Sequence, residues 1–251
     1  MYGAIYTAAS GALAQEKRLT VLANNISNIN TAGFKKDISV FKVMDANGDT
    51  TVNQIAEGNS PVEANAPLYL QYRTATDFSP GPVKKTDNPF DLAQEGNGFF
   101  CVQTPEGMRY TRNGHFTLDP QGLLVTRDGY TVIGDGGEIS IDGQNFAVDI
   151  QGNISVDGAQ VDKLRVVEFA DPLVLQKVGD TLFATTDPDA IPDSPELIKV
   201  RQGFLELSNV DPVRMMTEMI EVLRGYESYQ KVIRALDDAS AKSINEVGLV
   251  A

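Results

Sequence analysis

Residues 5–29 read IYTAASGALAQEKRLTVLANNISNI, and two interleaved lines of apolar residues run through them. Ile5, Ala12, Leu19 and Ile26 recur every seventh residue. Ala8, Gln15, Leu22 and Ile29 follow three places on, with Gln15 the one polar member. Such an a/d pattern predicts an amphipathic helix with a coiled-coil-like seam. The helix should stop near Asn30, because Gly33 supplies a left-handed C-terminal position. At 1.5 Å per residue its length would be about 40 Å. Asn24, Asn25, Asn28 and Asn30 crowd its end, although asparagine is a poor helix former. The amides could cap a fraying end; the reading we favour has Asn24 and Asn28, one turn apart, bonding to neighbouring helices and fixing their register.

The other end of the chain repeats the signal. Asp211-Pro212 supplies an acidic N-cap followed by proline at the first helical position. Met219, Tyr226, Ile233 and Val247 then share one line, interrupted by Ser240. Val222, Tyr229 and Leu236 share a second, and Met216, Leu223 and Ile244 widen the face. A proline-free run of this length would span about 50 Å as a helix. Neither helix can bury its stripe alone. Periodicity leaves two solutions open: packing on each other as an antiparallel pair, or packing on copies of themselves.

Between the ends the texture changes. Asn97-Gly98, Asn113-Gly114, Asp128-Gly129, Asp142-Gly143 and Asp157-Gly158 are turn dipeptides that punctuate short β-prone runs such as Gly98–Gln103 and Leu164–Phe169. Turn signals at this spacing predict antiparallel sheets and argue against alternating βαβ units. Residues 42–67 show no clear period, and the proline-rich stretch 187–195 precedes a closing strand at 197–207. The fold expected is α+β: long N- and C-terminal helices forming a coiled-coil-like domain (1–34 and 208–251), an extended connector (35–69), and an inserted antiparallel β-rich domain (70–207).

Charge follows the same partition. The 251 residues carry a net charge of −13, and residues 35–211 hold 14 bases against 27 acids. Both ends are near neutral, so like subunits would not repel there. The acid excess speaks against duplex nucleic acid as a partner. No uninterrupted apolar run is long enough for direct membrane insertion. Ile5–Ala14 imitates the apolar core of a secretion signal, but no Lys or Arg precedes it, and we expect it to be retained as helix.

Chemistry is hard to place. One cysteine, Cys101, and one histidine, His115, exclude an internal disulfide and multi-cysteine or two-histidine metal sites. Cys101 lies in a run that reads as a buried strand, and His115 reads as an exposed turn residue. Gly134-Asp135-Gly136-Gly137 lacks the lysine and helix of a phosphate loop and reads as a hairpin turn. Asp45–Asp49 opens like a calcium loop, yet Thr50 holds the sixth position and no acid the twelfth. No catalytic residue, cofactor or metal is expected.

Three quoted motifs, in order, then carry a resemblance. They are Ala23–Lys35 (ANNISNINTAGFK); Thr86–Ala93 with Gly96–Phe100, Tyr110–Phe116 and Gly122–Thr126; and Gln202–Asp211 (QGFLELSNVD), followed by Met219-Ile220, Arg224, Tyr226-Glu227 and Lys231–Ile233. Together they closely resemble the bacterial flagellar rod and hook proteins. Phe90 and Gln94 depart from the aliphatic residues expected there. Length and the opening Tyr2–Gly11 are most like the family's proximal, F-type members, with the distal G-type as the alternative. A secreted β-domain with a binding or lytic role and a helical anchor is the alternative from another class. The resemblance implies a non-enzymatic axial subunit of the periplasmic rod, passed through the flagellar type III export apparatus and assembled with copies of itself and other rod subunits. Its terminal helices would form an inner tube around the export channel and transmit torque. The seam residues would be Ile5, Ala12, Leu19, Leu22, Asn24, Asn25, Ile26, Asn28, Ile29, Met219, Leu223, Tyr226, Ile233 and Ile244.

Overall fold

Both heptad segments are helices. Tyr2–Ser27 forms α1 and Pro212–Gly248 forms α2 in a computed structural model that describes residues 2–44, 69–179, 181–185 and 199–248. The start of α2 is as the sequence predicts: Asp211 Oδ1 accepts from the backbone N–H of Val213 at 2.9 Å and of Arg214 at 3.2 Å. These are two of the four donors that a helix start leaves without intrahelical partners. The end of α1 comes three residues early, in a turn where Thr31 N donates to Asn28 O at 3.2 Å. Gly33 does take a left-handed φ of 68°. Its role is different from the one expected, however, because a Cβ there would lie 2.3 Å from the backbone nitrogen of Asn113. Gly33 permits a close backbone approach and caps no helix.

The chain divides into two compact units. The first holds Met1–Ile26, Asp37–Ala75 and Asp211–Ala251, so it unites the two helices with a two-stranded ribbon of Asp37–Met44 and Tyr69–Thr76. Phe41 and Tyr72 pack across this ribbon with ring centroids 5.5 Å apart. Within the stretch read as an extended connector, Asp37–Met44 is thus a strand. Residues 45–68, including the calcium-like Asp45–Asp49, lie outside the described residues.

In the second unit, Ser27–Lys36 and Thr76–Val210, the strands described pair antiparallel. Its largest sheet runs in the order Leu175–Lys177, Leu182–Thr185, Gly107–Thr111, Phe99–Thr104, Thr131–Gly134, Leu124–Thr126, Phe116–Leu118. A three-stranded sheet of Phe146–Val148, Asn153–Val156 and Ala159–Lys163 accompanies it. The Asp157-Gly158 dipeptide closes its hairpin with φ of 51° and 87°, the primed turn that suits the twist of the strands. Gly134–Gly137 is likewise a hairpin turn, with Gly134 opposite Gly137. The closing strand is two short strands: Lys199–Gln202 pairs with Leu92–Glu95, and Phe204–Glu206 pairs with Val83–Lys85. Residues 187–195 lie outside the described residues.

The strand Phe99–Thr104 shows why this sheet holds. Phe100 and Val102 enter one apolar cluster with Leu92, Phe116, Leu124, Val132 and Ile154. Phe99 and Cys101 enter a second with Ile133, Val167, Phe169 and Phe183. Successive side chains on a strand point to opposite faces, so a continuous apolar run is what a strand covered on both sides requires.

Candidate functional site

Two features stand out, one in each unit. In the first, α1 and α2 meet through small residues. The ring of Tyr229 lies over Gly11, and the Gln15 side chain lies against Gly225. Gly11 and Gln15 are one turn apart on α1, as are Gly225 and Tyr229 on α2, and they pair in reverse order. The helices therefore run antiparallel at this contact, with each glycine receiving the large side chain of the other helix. Gln15 Oε1 is buried there without a hydrogen-bond partner.

The predicted seam residues differ in burial. Leu22 is buried; Ile5, Ala12, Leu19, Ile26, Ile29, Met219, Tyr226 and Ile233 are half-buried; Leu223 is exposed. Asn24 is exposed, and Asn28 accepts at Oδ1 from Thr31 Oγ1 at 3.0 Å. Asn25 is the departure. It is 1% exposed, donates from Nδ2 to Asp37 O at 2.8 Å and accepts from Asp37 N at 2.9 Å. Its amide is spent inside the chain, tying the ribbon to α1. Ile244 lies on α2, but its side chain falls outside the described residues.

A second stripe on α2 was only partly visible in the heptads. Val213, Met216, Ile220 and Leu223 follow one another at intervals of three and four, and all are exposed, Val213 to 73%. On α1, Tyr6 and Leu13 are exposed as well, seven residues apart. Large apolar side chains at helical spacing, left uncovered, mark an interaction surface.

The feature in the second unit is a buried ionic node that sequence reading missed. Lys35 Nζ lies 2.6 Å from Glu206 Oε1, and Arg112 Nε lies 3.1 Å from Glu206 Oε2, with these side chains 1–3% exposed. Lys35 also donates to Ser79 O at 2.7 Å, and Glu206 Oε1 accepts from Gly81 N at 2.9 Å. Arg112 donates to Gln94 Oε1, Gly98 O and Gly96 O. Gln94 is one of the two departures from the resembled pattern, and this bond gives it a use. Phe90, the other, stacks on Phe146 at 5.1 Å. Burial pulls Lys35 below its ordinary range, and the Glu206 carboxylate pulls it back up; Arg112 is lowered by burial and raised by Glu206 in the same way. The three quoted motifs contribute one ion each. Lys35 ends the first, Arg112 sits in the second and Glu206 in the third. Identical signals in sequence give no hint of this, because ions 171 residues apart in the chain become neighbours only in the fold.

Neither reactive side chain joins a site. Cys101 is buried and its thiol is pushed up to about 12 by burial. His115 keeps an exposed ring whose Nδ1 lies 2.7 Å from the buried Asp91 carboxylate. A cavity of ≈ 240 Å³ beside Phe99 and Phe169 includes Arg112 in its lining, the same guanidinium already bonded in the node. Among the described residues no three His, Cys, Asp or Glu groups converge as a metal site, and no helix is long and apolar enough to cross a membrane.

Comparison with known proteins places matches at all three motifs. Residues 5–35 match the model for flagella basal body rod proteins, 93–156 the flagellar hook protein FlgE/F/G D1 domain, and 201–246 the flagellar basal body rod FlgEFG protein C-terminal segment. The flagellar basal-body rod protein FlgF of Caulobacter vibrioides is 35% identical, over 100% of both chains. The flagellar hook-basal body complex protein FlhO of Bacillus subtilis is 32% identical, again over 100% of both. The flagellar basal-body rod protein FlgG of Bacillus subtilis is 33% identical over 98% of this chain and 99% of its own.

Proposed function

This chain belongs to the bacterial flagellar basal-body rod protein family and is a structural subunit of that rod; we propose that its terminal helices are the parts that assemble it. The observation that carries this reading is the stripe Val213, Met216, Ile220 and Leu223, which the pairing of α1 and α2 leaves exposed. A helix that has buried one stripe and still presents another has two partners to satisfy. The seam of Ile5, Ala12, Leu19, Leu22, Ile26 and Ile29 with Met219, Tyr226 and Ile233 forms a coiled-coil-like core within the subunit. The second stripe, with Tyr6 and Leu13, meets helices of adjacent subunits, and Asn24 and Asn28 set register where α1 ends. Function is then transmission of torque through packing, with no reaction.

The near-neutral ends fit dense packing of like subunits, while the acidic β unit stays solvated. Export through the flagellum's own type III apparatus and a proximal, F-type position complete the reading, with the distal G-type position as its alternative. Immunogold microscopy of purified basal bodies tests it. Label confined to the rod, in its proximal part, is the expected result. Label on the rings or filament, or none on basal bodies from a strain that makes the protein, would end the assignment.

A further inference from the structure

The buried node lies within the second unit, on stretches next in sequence to those at which the chain leaves it. Those passages fall at 26/27, 36/37, 75/76 and 210/211, so three stretches on the β side meet all of them: 27–36, 76–81 and 206–210. Each stretch is bonded to both of the others. Gly33 N donates to Glu206 O at 2.8 Å, and Lys36 N donates to Asn209 Oδ1 at 2.8 Å. Asp77 N donates to Lys36 O at 2.9 Å, and the Lys36 ammonium lies 3.2 Å from the Asp77 carboxylate. Asn209 Nδ2 reaches Asp77 O at 2.8 Å and Ser79 O at 3.1 Å. Lys35 and Glu206 close the set, as described above.

These three stretches are moored to the large sheet at two places. Arg112, which directly follows the strand Gly107–Thr111, holds Glu206. Lys177, the last residue of Leu175–Lys177, donates to Lys35 O at 2.6 Å and sits 4.2 Å above the Phe34 ring. Charge-assisted bonds are the strong ones, and burial removes the water that would otherwise replace them one at a time. Bonds that share a load must break together, whereas bonds loaded singly peel in turn.

We propose that this node is the mechanical anchor of the subunit: load arriving along any connecting stretch is shared by all three and delivered to the sheet through Arg112 and Lys177. Lys35, Asn209 and Glu206 are positioning residues in that device. The purpose of the anchor rests on the rod reading, but its existence does not.

Single-molecule pulling on the purified full chain tests it, in a Cys101→Ser background with two handle geometries. Handles at Asn30→Cys and Val213→Cys load the node, and handles at Gln103→Cys and Gln160→Cys load the β sheets away from it. Asn209→Ala removes ties between the three stretches without unpairing a buried charge, and Lys177→Met removes a mooring while keeping the side-chain stem. Each variant should lower the opening force by about half in the first geometry and leave the second unchanged. Equal falls in both geometries would mean general loosening, and no fall in the first would mean that the node bears no load; either overturns the proposal. The second variant keeps the comparison alive should the first fail to fold. Absence of the wild-type protein from rods would end the rod reading and leave these forces untouched.

Discussion

The ring of Tyr229 occupies the space a side chain on Gly11 would need: a Cβ built there lies 2.5 Å from Cε1 and 2.6 Å from Cζ. Glycine inside a helix costs about 0.5–1 kcal/mol relative to alanine, so its presence in α1 asks for a packing reason, and Tyr229 supplies one. One turn away the contact is looser: a Cβ on Gly225 would lie 3.4 Å from the Gln15 side chain, at ordinary contact distance.

A bulkier residue at Gly11 should therefore unpair the helices even though it favours helix locally. Gly11→Ala is expected to be mild, since the far end of a tyrosine can swing aside by the ~1 Å that restores ordinary carbon–carbon contact. Gly11→Leu should displace the ring and abolish helix pairing, read as loss of hydrogen-exchange protection across α1. Adding Tyr229→Ala should restore part of it. Equal protection in Gly11→Leu and wild type would show that the contact does not set the pairing.

Glu206 is shared by two buried cations, Lys35 and Arg112, which makes the order of damage within the node predictable. Glu206→Gln leaves Lys35 and Arg112 without it, and breaking a buried pair in this way costs about 3–5 kcal/mol. Lys35→Met leaves Arg112 and Glu206 paired one to one, so it should cost less. Denaturant unfolding of the full chain reads both, and a smaller loss for Glu206→Gln than for Lys35→Met would refute this charge balance.

These two features differ in how far the sequence announces them. The heptads, Asp211-Pro212 and Asp157-Gly158 are local signals, and each is realised as the local physics demands. Gly33 carries a local signal whose cause is not local: left-handed φ says that glycine is needed, and only the fold says that Asn113 is what crowds it. Asn25 misleads similarly, because an amide near a helix end gives no clue that the backbone of Asp37 will return to meet it. The node has no local signature at all. Lys35, Arg112 and Glu206 look like ordinary surface ions until the chain folds. Exposure of the second stripe on α2 also depends on which face the partner helix takes, and periodicity alone does not choose between faces.

Cys101 gives the chain a slope in alkali. Burial raises its thiol from 9.0 to about 12. Between those values the folded chain keeps the proton and the unfolded chain releases it, so unfolding is favoured progressively as pH rises. The contribution is fully present below pH 9 and is lost by up to about 1.4 kcal/mol per pH unit above it. Lys35, held below its ordinary value by burial, works in the opposite sense, but it is common to wild type and variant. Cys101→Ala should thus be less stable than wild type at neutral pH and show a shallower decline above pH 9. Parallel pH profiles for the two proteins would exclude the buried thiol as the source.

The last test separates the two stripes of the helical unit. Ile220 belongs to the stripe left exposed on α2, whereas Leu22 is 4% exposed within the chain. A lysine at Leu22 must bury or displace its charge in the free subunit, at a cost of several kcal/mol. A lysine at Ile220 stays in water until another subunit arrives, and then each copy in the rod must desolvate it. Ile220→Lys should therefore leave the melting profile of the purified protein unchanged and yet stop rod completion and swimming. Leu22→Lys should lower helix protection in the free protein and also stop swimming. Glu16→Lys, exposed and off both seam lines, should do neither. The decisive comparison is between stability and assembly for Ile220→Lys. Normal rods with that lysine in place would mean that the exposed stripe contacts no neighbour, and the helices would then have to assemble the rod through the seam they already share.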